Sequence, residues 1–200
     1  MLILASKSAT RQALLSGAGL RFETSPAQID ERLLEAEVLG KGGDAPAVAR
    51  SLAEAKALSV SANHLQAVVI GADQVLAFGH SLLHKPASLA DAARQLDLLN
   101  DGTHHLHAGV ALAQAGTVLW SSVESATLTM RRFTQSERDA VLALEGEAVL
   151  GSVGAYRIEG PSVRLFERIE GDYFTILGLP LLPLLAALRK HAPHTLEGFT

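Results

Sequence analysis

The 200-residue chain contains no cysteine, which excludes disulfides, thiolate nucleophiles and thiolate zinc sites. An excess of positive charge is missing too: 17 Lys and Arg stand against 21 Asp and Glu, for a net charge of −4 and a pI near 6.0. Such a balance exerts no long-range pull on nucleic acid polymers or acidic membranes, so any phosphate binding must come from a local cluster in a pocket. Long apolar runs are also lacking. The apolar start before Ser6 is too short for the core of a signal peptide, and the most apolar stretch, "ILGLPLLPLLAALRK", is broken by a glycine and two prolines. It reads as core packing or a dimer surface. What remains, 48% hydrophobic and 19% charged residues without repeats or a dividing linker, predicts one soluble α/β domain over residues 1–200, in a cytoplasmic setting.

Strand-like and helix-like stretches alternate along the chain, which predicts a mixed sheet flanked by helices. Leu2 to Ala5 reads as a buried strand, and Arg11 to Ser16 as a helix stopped by Gly17. "RFETS" is a second short strand. The charged, glycine-rich span from Ile29 to Asp44 reads as a loop, and Pro46 to Ala62 as a long helix. "AVVIGADQVLAF" is β-prone, with Gly71 able to bend or open it. Ser88 with Asp91, and Thr134 with Glu137, are helix-opening capping boxes. Hairpins are expected at Ala115-Gly116 and at Glu170 to Asp172, and a closing helix over Leu181 to His191.

Several residues in these stretches carry chemistry. The strand, small-residue turn and helix of "LILASKSATRQALL" aim backbone N–H groups and a helix N-terminus at one point, which suits an anion. Ser6 and Ser8 add hydroxyls and Arg11 adds a planar fork; alternatively Ser8 only caps the helix and Arg11 pairs with a surface acid. Lys56 falls in the apolar stripe of its helix, between Leu52 and Val60, and must snorkel or enter a polar cleft. Asp73 interrupts an apolar strand and requires a cationic partner, for which a metal ion, Lys56 and Lys85 are the candidates. Glu31 is either a second carboxylate for a metal or a solvated charge. The cluster His104, His105 and His107 lacks the companions of a zinc site, and His104 suits a hydrogen bond within the core. "SVGAYRIEG" forms a cleft wall or a turn, where Glu159 has two acceptors matching the adjacent N–H donors of a guanine edge.

Taken together, "LASKSATRQALL", "DE" at 30–31, "SLAEAKA", "VIGADQV", "HKP" at 84–86, "GEAVLGSVGAYRIEG" and "IEGDYFTILGLPLLPLL" resemble the Maf family of nucleoside triphosphate pyrophosphatases, in the family's order and over most of the chain. The resemblance implies a two-lobed α/β fold with a cleft, a homodimer, and Mg²⁺- or Mn²⁺-dependent cleavage between the α and β phosphates of a nucleoside triphosphate. In that reading Asp73 is the proton acceptor and Glu31 assists at the metal. Ser6, Ser8, Arg11, Lys56 and Lys85 hold phosphates, and Thr10, Gln74 and Glu159 tune base preference. Departures from the family pattern are Ala9 for the usual proline, Ser152 where many relatives carry lysine, and Thr10 for both the arginine of the thymidine/uridine branch and the tryptophan of the 7-methyl-GTP branch. Gln74 and Glu159 resemble the last of these, which gives a guanine-type or 7-methyl-GTP lean and a role in removing modified nucleotides. The other function class implied is a nucleotide-binding regulator of septum formation without turnover.

Overall fold

A computed structural model describes residues 1–196. In chain order these form β1 (Leu2–Leu4), α1 (Ala9–Gly17), β2 (Glu23–Thr24), α2 (Glu31–Gly40), α3 (Ala45–Ser61), β3 (Val68–Phe78) and β4 (Ser81–Leu83). They continue as α4 (Leu89–Leu99), β5 (Thr103–Gln114), β6 (Thr117–Met130), α5 (Gln135–Glu145), β7 (Phe166–Glu170), α6 (Tyr173–Ile176) and α7 (Leu181–His191), with 3-10 turns between α5 and β7. The strands make a seven-stranded mixed sheet in the order β2-β1-β3-β5-β6-β7, with β4 pairing on β3. β1 runs parallel to β2 and β3, whereas the β3–β4 and β6–β7 pairs are antiparallel. The α/β class and mixed sheet expected from the alternating pattern are present.

The chain divides into two compact units. The first comprises, of the described residues, 1–74, 107–125 and 172–196. Strand alternation gives each face of its sheet a separate core. On one face Leu2, Leu4, Val68, Ile70, Ala72, Val110 and Leu112 pack with Leu15 of α1 and Leu181, Leu184 and Leu188 of α7. On the other, Ile3, Ala5, Val69, Ala111 and Ala113 meet Ala53, Ala57 and Val60 of α3. Helix α3 lies unusually close to this face, because a Cβ on Gly71 would fall 2.0 Å from the carbonyl oxygen of Ala53, and one on Gly109 2.2 Å from that of Ala49. Gly71 therefore admits the helix; it neither bends nor opens β3.

The second unit, Val75–Leu106 and Ala126–Gly171, is built on Leu96, Leu99, Leu106, Leu128, Met130 and Leu165, all fully buried. His104 makes the core hydrogen bond expected of it, Nε2 lying 2.7 Å from the Tyr156 hydroxyl, and Phe166 packs edge-on to Tyr156.

Three local expectations are corrected. The span from Ile29 to Asp44 is mostly helix: Asp30 caps α2 by accepting from the Leu33 N–H, and half-buried Leu34 and Val38 lie one turn apart on it, so only the glycine run at its end is loop. At Glu170 to Asp172 there is no hairpin, since β7 pairs back onto β6 and Asp172 instead caps α6 through the Thr175 N–H. Gly17 is the last residue of α1, and the left-handed residue that turns the chain is Gly19, with φ +76°.

Candidate active site

Within the first unit, β1 stops at Leu4 opposite Ile70, while β3 runs on through Ala72, Asp73 and Gln74. The chain leaving β1 makes the Ser6–Ser8 turn beside that extension, at the carboxyl end of a parallel pair, where open α/β sheets bind their ligands. Alternation then sends Asp73 and Gln74 to opposite faces: Asp73 follows Val69 and Gly71 toward α3, and Gln74 follows Ile70 and Ala72 toward α1 and α7.

On the α3 face, the Lys56 ammonium meets Oδ1 of Asp73 at 2.5 Å and Oε1 of Glu31 at 2.8 Å. Lys56 is 9% exposed and Asp73 8%, so the pair is desolvated, while the Glu31 side chain is half in water. Lys56 thus turns to two carboxylates and is the cation that Asp73 required. Two elements bring Glu31 into place: Asp30 caps α2 so that Glu31 opens its first turn, and α2 packs on α3.

On the other side of β3, Arg11 donates through Nε to the carbonyl of Gly178 at 2.8 Å and through Nη1 to Ser6 Oγ at 3.2 Å. Ser6 Oγ also accepts the Ser8 N–H at 3.2 Å, and Ser8 caps α1 by accepting the Arg11 N–H. Ser8 is thus the helix cap, as the plainer reading of this turn expected, whereas Arg11 pairs with the turn and the Gly178 carbonyl and not with a surface acid. Burial holds the Arg11 pKa below its ordinary value, partly offset by the negative charges of Asp73 and Glu31. Thr10 sits half-buried in the first turn of α1.

Gln74 donates through Nε2 to the carbonyls of Thr175 at 3.1 Å and Ile176 at 2.9 Å. Its amide orientation is fixed by those two acceptors, and Gly178, at φ +89°, leaves the room that Oε1 occupies. These main-chain partners carried no signal in the sequence, because every residue owns a carbonyl.

The remaining candidates belong to the second unit. Lys85 is exposed in the loop after β4, whose course is set by buried Pro86 and by Gln95 donating to the His84 carbonyl at 2.6 Å. Glu159 is exposed on a turn in which the Gly160 N–H donates to the Arg157 carbonyl. Both flanks of that turn are tied to one buried carboxylate: Glu145 accepts from Arg157 Nε at 2.8 Å, the Ser162 N–H at 2.9 Å and Ser162 Oγ at 2.8 Å. Hydrogen bonding to Arg157 and Ser162 holds the Glu145 carboxyl below its ordinary pKa, although burial alone would raise it. Sequence reasoning missed Glu145, whose position at the end of α5 looks like any helical glutamate.

A family model described as Maf-like protein matches residues 1–191. The chain belongs to the Maf-like protein family. It is 49% identical over 189 residues to a protein of Brucella abortus biovar 1 (strain 9-941) named 7-methyl-GTP pyrophosphatase, covering 94% of this chain and 95% of that one. A 7-methyl-GTP pyrophosphatase of Rhizobium johnstonii is 51% identical over 94% of this chain and 95% of its own. A nucleoside triphosphate pyrophosphatase of Granulibacter bethesdensis is 45% identical over 95% and 96%. The Maf-like site of the first unit thus combines two carboxylates on one buried ammonium with an arginine held in the serine turn. Among its described residues, no helix is long and apolar enough to cross a membrane.

Proposed function

We infer that this Maf-like chain is a nucleoside triphosphate pyrophosphatase, in which water attacks the α phosphorus, the bond from that phosphorus to the oxygen bridging to the β phosphate breaks, and pyrophosphate leaves. The observation that carries the reading is the convergence of Asp73 and Glu31 on Lys56, on the strand that runs beside the turn where Arg11 holds Ser6. A carboxylate in such a place can take the proton from water, and a fixed cationic frame can neutralise charge developing on phosphate oxygens. In the proposed division of labour Asp73 is the base. Lys56 orients it, and Ser6, Ser8, Arg11 and the α1 N-terminus bind phosphate oxygens. Lys85 and Glu159 enter as a further phosphate-holding cation and a reader of the base edge, with Thr10 beside the base.

The charges argue for a divalent cation. Asp73 and Glu31, both on Lys56, together cancel the charges of Lys56 and Arg11, which leaves no net positive charge from these four for a polyphosphate. Two carboxylates suit Mg²⁺ or Mn²⁺, which characteristically binds through one or two carboxylates plus substrate phosphates. Asp73 and Glu31 would hold it, and it would supply charge neutralisation on the phosphate oxygens.

The names of the relatives support a 7-methyl-GTP or guanine-type preference, as does Glu159 with its paired acceptors. A homodimer and a cytoplasmic setting complete the proposal and rest on the family resemblance. Release of pyrophosphate from a panel of ordinary and modified triphosphates with Mg²⁺ and Mn²⁺ tests it: release fastest from 7-methyl-GTP supports it, and orthophosphate as the first product overturns it. Binding without turnover under every metal condition would instead favour the regulatory class.

A further inference from the structure

The two N–H groups of the Gln74 amide are both taken up by the protein itself. Both go to main-chain carbonyls, of Thr175 and Ile176. The Thr175 carbonyl also accepts the Gly178 N–H at 3.0 Å, and the Gly178 carbonyl in turn receives Arg11 Nε at 2.8 Å. Arg11 then reaches Ser6 Oγ at 3.2 Å. A continuous chain of hydrogen bonds therefore runs from Gln74 through the turn after α6 to the guanidinium and the serine turn, all inside the first unit. The turn has other supports, since Asp172 caps α6 and Leu179 is buried in the core. Gln74, however, is what ties the last carbonyls of α6 to β3, the strand that carries Asp73.

The residue next to it in the site is Gly178. Its φ of +89° and the 3.3 Å that would separate a Cβ from Gln74 Oε1 keep side chains out of the space between the amide and Arg11, whose Nη2 lies 3.6 Å from the same point. Gln74, Gly178 and Arg11 are thus packed as a unit.

We propose that Gln74 is a positioning residue for the phosphate grip, holding the 175–178 turn so that the Gly178 carbonyl aims Arg11. This rests on the reading of Arg11 as a phosphate ligand, but it is tested without turnover. The probe is inorganic tripolyphosphate, with affinity measured by calorimetry for the wild type, Gln74→Leu, Arg11→Ala and the double variant. The expected result is a loss of about 10- to 100-fold on Gln74→Leu, since small misplacement of a gripping group is costly. The double variant should bind no more weakly than Arg11→Ala alone, because the glutamine acts through the arginine. Gln74→Glu supplies a readout that a space-filling role would not move. Ionised, it presents oxygen to two carbonyls; protonated, it donates to one of them, so its affinity relative to the wild type should rise on acidification.

Unchanged tripolyphosphate affinity in Gln74→Leu, with a changed ranking of nucleotide bases, would overturn the proposal and make Gln74 a base reader. Additive losses in the double variant would overturn it as well. Thermal melting of each variant separates these outcomes from misfolding. If Gln74→Leu is already melted, Gln74→Glu takes its place, and a pH-independent affinity ratio to the wild type overturns the proposal. If the wild type releases no pyrophosphate from any nucleotide while the coupling between Gln74 and Arg11 holds, the catalytic reading falls and this one stands.

Discussion

Gly71 and Ala53 touch through their main chains: the missing Cβ of the glycine would lie 2.0 Å from the alanine carbonyl oxygen. Gly71 precedes Asp73 by two residues on the same face of β3, and Ala53 precedes Lys56 by three on α3. The contact therefore sets the distance across which the ammonium meets the carboxylate. Gly71→Ala should cost about 3 kcal/mol of stability and also lower turnover in the fraction that folds. Urea unfolding and pyrophosphate release measure the two effects.

Asp73→Asn should reduce turnover by about 10²- to 10⁴-fold while nucleotide binding survives, as expected for loss of a general base. Lys56→Met leaves Asp73 buried without its ammonium and should cost about 3 kcal/mol. The double variant Lys56→Met with Asp73→Asn should recover much of that stability and none of the turnover. Recovery of turnover would remove Asp73 from its role.

Chelation of divalent cations should stop pyrophosphate release, and added Mg²⁺ or Mn²⁺ should restore it. Turnover surviving exhaustive chelation would show that Lys56, Arg11 and Lys85 neutralise the polyphosphate unaided. Glu31→Gln should raise the metal concentration needed for half-maximal rate.

His104 gives the fold a pH dependence of its own. Burial, then the charge of His105, lowers its pKa from 6.5 to about 4, and among the described residues its Nδ1 has no hydrogen-bond partner. Because the unfolded chain takes up this proton near pH 6.5 and the folded chain only near pH 4, stability is full above pH 6.5. It falls as pH drops between those values, by about 3 kcal/mol in all. His104→Phe should flatten that part of the stability profile. An unchanged slope would assign the loss to another group.

Glu145→Ala removes the carboxylate that ties both flanks of the Glu159 turn and should cost about 3 kcal/mol. Hydrogen exchange should accelerate from Arg157 to Ser162. Glu145→Gln keeps an acceptor for Ser162 and should fall between the two.

Much of the site was legible because it violates local rules. A lysine in the middle of an apolar helical stripe and an aspartate inside an apolar strand are each costly alone, and the mutual partnership that the cost requires is what the fold supplies. The turn after β1 was legible for the same reason, as small polar residues between a buried strand and a helix. Helix α2 is hidden by its composition: charge and glycine outweigh the two half-buried residues that fasten it, and they mask the cap at Asp30. Gly71 reads as flexibility because sequence shows that a side chain is missing and not what fills its place. The partners of Gln74 and Arg11 are carbonyls, which no alphabet of side chains distinguishes.

Because neighbouring residues of β3 point to opposite sides of the sheet, the acid that meets Lys56 and the amide that braces the Arg11 turn are keyed to odd and even places of one strand. Inserting or deleting a single residue between Val68 and Asp73 would swap their sides, leaving the carboxylate among leucines and the amide against the ammonium. Length in this short run is thereby under tighter constraint than the identity of its apolar members, which could trade valine for isoleucine and leave both partnerships in place.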